Sequence, residues 1–128
     1  MRFVLVVLVY LLFSFTPPIF AEQTIVEKDS NEDGKIDEWS TYNKNGSLIS
    51  QAIDKHVDGK PDYWKHFREG KVFKREWDRN FDTKIDFRII EENGRLLEKQ
   101  YDDNFDGKFE KTVKPPRKGE LIKSPKRA

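Results

Sequence analysis

An all-β fold, an antiparallel meander of about eight short strands, is what this sequence predicts, and three observations predict it. An acidic motif recurs four times, as "DSNEDGKID" from Asp29, "DKHVDGKPD" from Asp54, "DRNFDTKID" from Asp78 and "DDNFDGKFE" from Asp102, with starts 25, 24 and 24 residues apart. A second turn signal falls midway in each period, as "KNGS" around Asn45-Gly46, "REGK" around Gly70 and "ENGR" around Asn93-Gly94. The runs between these turns are about seven residues long and rich in aromatic and β-branched side chains, too short for a stable helix and right for strands. Each 24–25-residue unit therefore reads as a β-hairpin, with the acidic loop leading into the next one. Turns alternate ends in a meander, so all four acidic loops fall on one edge of the sheet and the Gly turns on the other. Both faces carry apolar residues, which predicts a strongly curled sheet, open or barrel-like.

The elements follow in chain order. Residues 1–21, "MRFVLVVLVYLLFSFTPPIFA", combine a cation at Arg2, an apolar run from Phe3 to Phe15, a Pro17-Pro18 break and a small residue at Ala21, the pattern of a secretory signal peptide. The stretch Phe3 to Phe20 also has the length of an uncleaved anchor. Export directs the protein to the periplasm or the medium. The chain has no cysteine, so disulfides contribute nothing there.

Residues 22–113 form the repeat domain. Its strands are read from "QTIVEK", then "IDEWSTY", "PDYWKHF", "VFKREW", "IDFRII" and "FEKTV", with the second strand of each hairpin carrying Ile49 and Ile53, Phe73 and Trp77, or Leu97 and Tyr101. Spaced i, i+4, each of these pairs is expected to share a face. Gln51, Arg75 and Lys99 lie between them on that same face, so it is not a dry core. The tryptophans Trp39, Trp64 and Trp77 read as packing residues.

Residues 114–128, "KPPRKGELIKSPKRA", hold 6 bases against 1 acid, whereas residues 22–113 hold 22 acids against 17 bases. The tail has too little apolar surface to offset chain entropy and reads as a basic disordered segment. It and an uncleaved signal segment are the two routes to membrane contact. The acidic folded part disfavours nucleic acid.

The acidic loops suit a hard cation, because Ca²⁺ takes six to eight oxygens and loop positions 1, 3, 5, the position 7 carbonyl and position 9 supply about five. In the first loop these are Asp29, Asn31, Asp33, Lys35 and Asp37; in the fourth, Asp102, Asn104, Asp106, Lys108 and Glu110. The second loop offers Asp54, Asp58 and Asp62 but has His56 at position 3, which reads as a surface residue. The third offers Asp78, Asn80, Asp82 and Asp86 but has Thr83 where the others have Gly, and a β-branched residue is strained at positive φ. Position 12, the bidentate Glu of an EF-hand, holds Ser40, Lys65, Ile89 and Val113, so affinity falls to the weak extracellular range of about 0.1 to 1 mM. The same Asp, Asn and Gly residues also build a plain tight turn, with side chains bonding their own backbone and no metal.

The pattern "DxNxDGKxDxW…Y…NGxL" resembles the tandem Asp-rich β-hairpin repeats of exported bacterial proteins, described as EF-hand-like or thrombospondin type 3-like calcium-binding repeats. The resemblance covers about residues 25–113. It implies an exported, calcium-associated module with a structural or interaction role. A second resemblance, to the "Y…NG…" hairpin repeats of MORN-type proteins, implies a metal-free module that binds another protein. Nothing separable from the repeat suggests an enzyme: the two histidines are His56 and His66, and the Asp pairs recur as repeat units.

Overall fold

The computed structural model describes residues 23–116; the predicted signal segment 1–21 and residues 117–128 of the predicted tail lie outside the described residues. Eight strands follow one another: β1 (Thr24–Lys28), β2 (Glu38–Tyr42), β3 (Leu48–Ile53), β4 (Tyr63–Arg68), β5 (Lys71–Trp77), β6 (Phe87–Glu92), β7 (Arg95–Tyr101) and β8 (Lys111–Val113). They form one antiparallel sheet in sequence order, with no helix among the described residues. Among the described residues β1 and β8 each pair on one side only, so the sheet is open. Residues 29–37, 54–62, 78–86 and 102–110, here loops 1 to 4, line one end, and the Gly turns line the other.

The turn chemistry explains the hairpins. Glu69-Gly70 (φ 52° and 73°) and Asn93-Gly94 (φ 51° and 78°) are two-residue turns with both residues left-handed, the form that matches strand twist. Between β2 and β3 the Asn43 side-chain oxygen accepts from the N–H groups of Asn45 and Ser47, each at 3.0 Å.

Each of these hairpins carries a bulge at the same place: the register shifts between Thr41 and Tyr42, His66 and Phe67, and Ile90 and Glu91, leaving Ile49, Phe73 and Leu97 as the extra residues. The bulge corrects the expectation that these three share a face with Ile53, Trp77 and Tyr101. An extra residue breaks the period-2 alternation, and the Phe73 ring lies 6.3 Å from the ring of His66, on the opposite face from Trp77.

The sheet is a single layer. Among the described residues Tyr63 is the one apolar side chain that is buried, while Asp37, Ser40, Asp54, Asp62, Glu76, Asp78, Asp86 and Asp102 are buried polar groups. Cohesion comes from rows of side chains that cross the sheet. The row next to the acidic loops reads Lys28, Glu38, Ile53, Tyr63, Trp77, Phe87, Tyr101, Lys111. Its four rings stack on one another with centroids 4.9, 5.0 and 4.8 Å apart. Lys55 covers the Tyr63 end at 4.0 Å and Lys111 the Tyr101 end at 5.1 Å. Rings packed at such spacing turn their faces to each other, so the ladder takes the place of a core.

Candidate metal-binding loops

The loop backbone is built around the first aspartate. In loop 2 the Asp54 carboxylate accepts the N–H groups of Val57 (2.7 Å), Asp58 (3.3 Å) and Gly59 (2.6 Å). In loop 3 Asp78 accepts those of Phe81, Asp82 and Thr83 at 2.7, 3.3 and 2.7 Å. Asp29 and Asp102 accept the N–H groups of positions 5 and 6, at 3.3 and 2.7 Å in loop 1 and 3.2 and 2.8 Å in loop 4. Successive N–H groups form an anion-binding hollow, and the chain's own carboxylate fills it. Closing that hollow drives two residues per loop into the left-handed region: position 6 (Gly34, Gly59, Thr83, Gly107) and position 4 (Glu32, Val57, Phe81, Phe105). Thr83 stands at φ 73°, as its position required.

The remaining oxygens lock the same frame. Position 5 accepts the N–H of position 7: Asp33 from Lys35 at 2.8 Å, Asp58 from Lys60 at 2.8 Å, Asp82 from Lys84 at 2.9 Å and Asp106 from Lys108 at 2.9 Å. Asn31, Asn80 and Asn104 at position 3 accept from position 5 at 3.0, 3.3 and 3.0 Å. Position 9 reaches back to position 2: Asp37 to Ser30 (2.8 Å), Asp62 to Lys55 (3.0 Å), Asp86 to Arg79 (2.7 Å) and Glu110 to Asp103 (3.4 Å). The short bonds along this frame hold the pKa of Asp54 and Asp82 below the usual aspartate value. Burial alone would raise Asp54, but the N–H groups of Gly59, Val57 and Asp58 outweigh it; for Asp82 the Lys84 N–H is the main cause.

The loops differ in what neutralises them. In loop 4 carboxylate oxygens of Asp102, Asp106 and Glu110 lie within 4.8 Å of one another, a spacing one ion can bridge. Asp29, Asp33 and Asp37 of loop 1 form no such triplet; Asp37 is a methylene shorter than Glu110 and is held by the Ser30 N–H. Among the described residues, no basic side chain pairs with the carboxylates of loop 1 or with Asp102, Asp106 and Glu110 of loop 4, where Asp103 alone has a basic partner, Arg79 at 3.3 Å.

Loop 2 contains its own cation. His56 is exposed, as its position suggested, yet its ring is engaged by the loop: Nδ1 lies 2.6 Å from Asp62 and 3.8 Å from Asp54, and Nε2 lies 3.2 Å from Asp58. The Asp62 hydrogen bond raises its pKa above the ordinary imidazole value, burial opposes this, and the charges of Asp58, Asp62 and Asp54 add to the rise. In loop 3 Arg79 pairs through Nε with Asp86 and reaches loop 4, giving hydrogen bonds to the Asp102 carbonyl at 3.2 Å and the Asp103 carboxylate at 3.3 Å. Position 4 of each following loop then covers the cation: the Phe81 ring sits 3.8 Å from the His56 ring, and Phe105 lies 5.8 Å from the Arg79 guanidinium. Sequence reasoning missed Phe81 and Phe105 in this role because the cations they cover lie a repeat away.

A second charged cluster crosses β4, β5 and β6. Glu76, 4% exposed, lies 2.8 Å from His66, 3.1 Å from Lys74 and 2.9 Å from Arg88. Burial would raise its carboxyl, but hydrogen bonds from His66 and Lys74 and the charges of Lys74 and Arg88 hold it down at about 2.

No family model, curated protein or solved structure matches the chain.

Proposed function

We propose that this is an exported, non-catalytic β-repeat module that binds Ca²⁺ weakly at loops 1 and 4 and serves a structural or interaction role. The observation that carries the reading is loop 4: three carboxylates within bridging distance and, among the described residues, no basic side chain paired with them. A carboxylate has about four lone-pair sites, so Asp102 can give two to the N–H groups of Asp106 and Gly107 and still coordinate. Loop 2, with His56 among Asp54, Asp58 and Asp62, and loop 3, with Arg79 on Asp86, have less need of an ion. The same reading takes the sheet as strongly curled, supported by three bulges that each add right-handed twist.

A metal-free module is the second reading, and one observation favours it: every loop already satisfies its backbone N–H groups with its own side chains. A melting experiment on protein recovered from the envelope or medium, whose mass is expected to show a start near Glu22, separates the two. With a dissociation constant of about 1 mM, linkage gives about 0.4 kcal/mol per site at 1 mM Ca²⁺ and about 1.4 kcal/mol at 10 mM. Two sites at 10 mM then raise the melting temperature by about 10 °C or more, and Mg²⁺ does less. Replacing Asp33 and Asp106 with Ala removes the rise, whereas Asp58→Ala leaves it. Identical curves in chelator and in Ca²⁺ would sink the metal reading.

A further inference from the structure

The two edges of the sheet are not alike. β8 is three residues long, carries Lys111 and is followed at once by Lys114, Pro115 and Pro116, the charge and proline that blunt an edge against further pairing. β1 carries Glu27 and Lys28 at its end but has neither the brevity nor the flanking prolines of β8. It is five residues long, pairs with β2 without a bulge, and exposes Ile25 at 62% and Val26 at 49% on opposite faces at its middle. A regular edge strand with apolar side chains on both faces is a template for another strand.

We propose that this edge is filled by a second copy of the chain, β1 against β1 in antiparallel register with Val26 on the two-fold axis. Charge selects the arrangement. Continuing the meander head to tail would set β8 of one copy beside β1 of the next and bring Lys111 into line with Lys28, since both occupy the row that crosses the sheet next to the acidic loops. The two-fold pairing sets Val26 opposite Val26, Ile25 opposite Glu27 and Thr24 opposite Lys28, with no like charges facing and all five residues of β1 engaged. Because the strands run antiparallel, it also puts the two rows of acidic loops at opposite ends of the joined sheet, where they do not repel. A two-fold contact closes on itself and leaves the blunted β8 edges outermost.

The absence of cysteine makes the geometry directly testable. The exported protein is expected to sediment at twice the chain mass at the top of a dilution series, and Val26→Lys or Ile25→Lys at the single mass with unchanged circular dichroism. Under mild oxidation Val26→Cys is expected to form a disulfide-linked dimer and Val113→Cys, in the same row of β8, to stay reduced. A wild-type protein of single mass throughout the series, a dimer that persists in both lysine variants, or linkage through Val113→Cys as efficient as through Val26→Cys overturns the proposal.

Discussion

Thr83 occupies a backbone position that the other three loops give to glycine, and its φ of 73° matches theirs of 89° to 90°. An L residue in the left-handed region costs about 1–2 kcal/mol, more for a β-branched one. The glycines at the equivalent positions have nothing within 4 Å of where a Cβ would stand, so the strain is in the backbone alone. Thr83→Gly relieves it while loosening the unfolded chain by about 0.5–1 kcal/mol. The expected net gain is about 0.5–1 kcal/mol, read as a rise of roughly 2–8 °C in melting temperature. A variant that melts at or below the wild-type temperature would show that the Thr83 hydroxyl or methyl contributes something the loop geometry does not reveal. This position was legible in the sequence because a repeat supplies its own comparison. Position 4 was not: Glu32, Val57, Phe81 and Phe105 have nothing in common that announces positive φ. What forces them there is the Asp at position 1 gathering the N–H groups that follow.

At the scale of strands and loops, periodicity placed the turns and therefore the strands, including which turns share an end. Side-chain partnerships were not legible, because they depend on register across strands. The ladder is the clearest case: Trp77 and Tyr101 immediately precede their loops and Tyr63 and Phe87 immediately follow theirs, a signal present in the repeat but readable only once position 10 of one loop is known to pair with the residue before the next. Glu76 depends on register in the same way, drawing His66 from β4 and Arg88 from β6. Its carboxyl is held at about 2 against an ordinary 4.5. A depressed carboxyl contributes stability that is fully present above the unfolded value and lost as pH falls through the folded one. The window is therefore about pH 4.5 down to about 2, and the contribution on the order of 3 kcal/mol. Urea denaturation across that range is expected to show a falling midpoint, and Glu76→Gln to be less stable at pH 7 with a flatter acid limb. An acid limb of unchanged slope in Glu76→Gln would mean the cluster is too solvated to matter.

The described residues form a sheet without a second layer, and each strand touches only its neighbours in sequence. Such a structure is quasi-one-dimensional, and its stability is a sum of repeat and neighbour contributions rather than the yield of one shared core. The ladder and the Glu76 cluster both run through β4, β5 and β6, whereas β1 and β8 are exposed along their whole length. Opening from the ends is therefore expected, with amide exchange slowest in β4 to β6 and fastest at β1 and β8. The heat capacity of unfolding follows from the same architecture. Apolar exposure raises it and polar exposure lowers it, and a globular domain as long as residues 23–116 gives about 1.1–1.4 kcal/mol/K. Here Tyr63 is the one apolar side chain buried among the described residues, while six aspartates and Glu76 are buried as well. The other apolar side chains are half-buried or exposed, the remaining ladder rings included, so unfolding exposes less new apolar surface than in a layered domain, together with these polar groups. Calorimetry is expected to give a heat capacity change of about half the globular value or less, and urea denaturation a correspondingly shallow slope. A change of full globular size in a protein that sediments at the single chain mass would mean that a face of this sheet is covered in solution by another part of the chain.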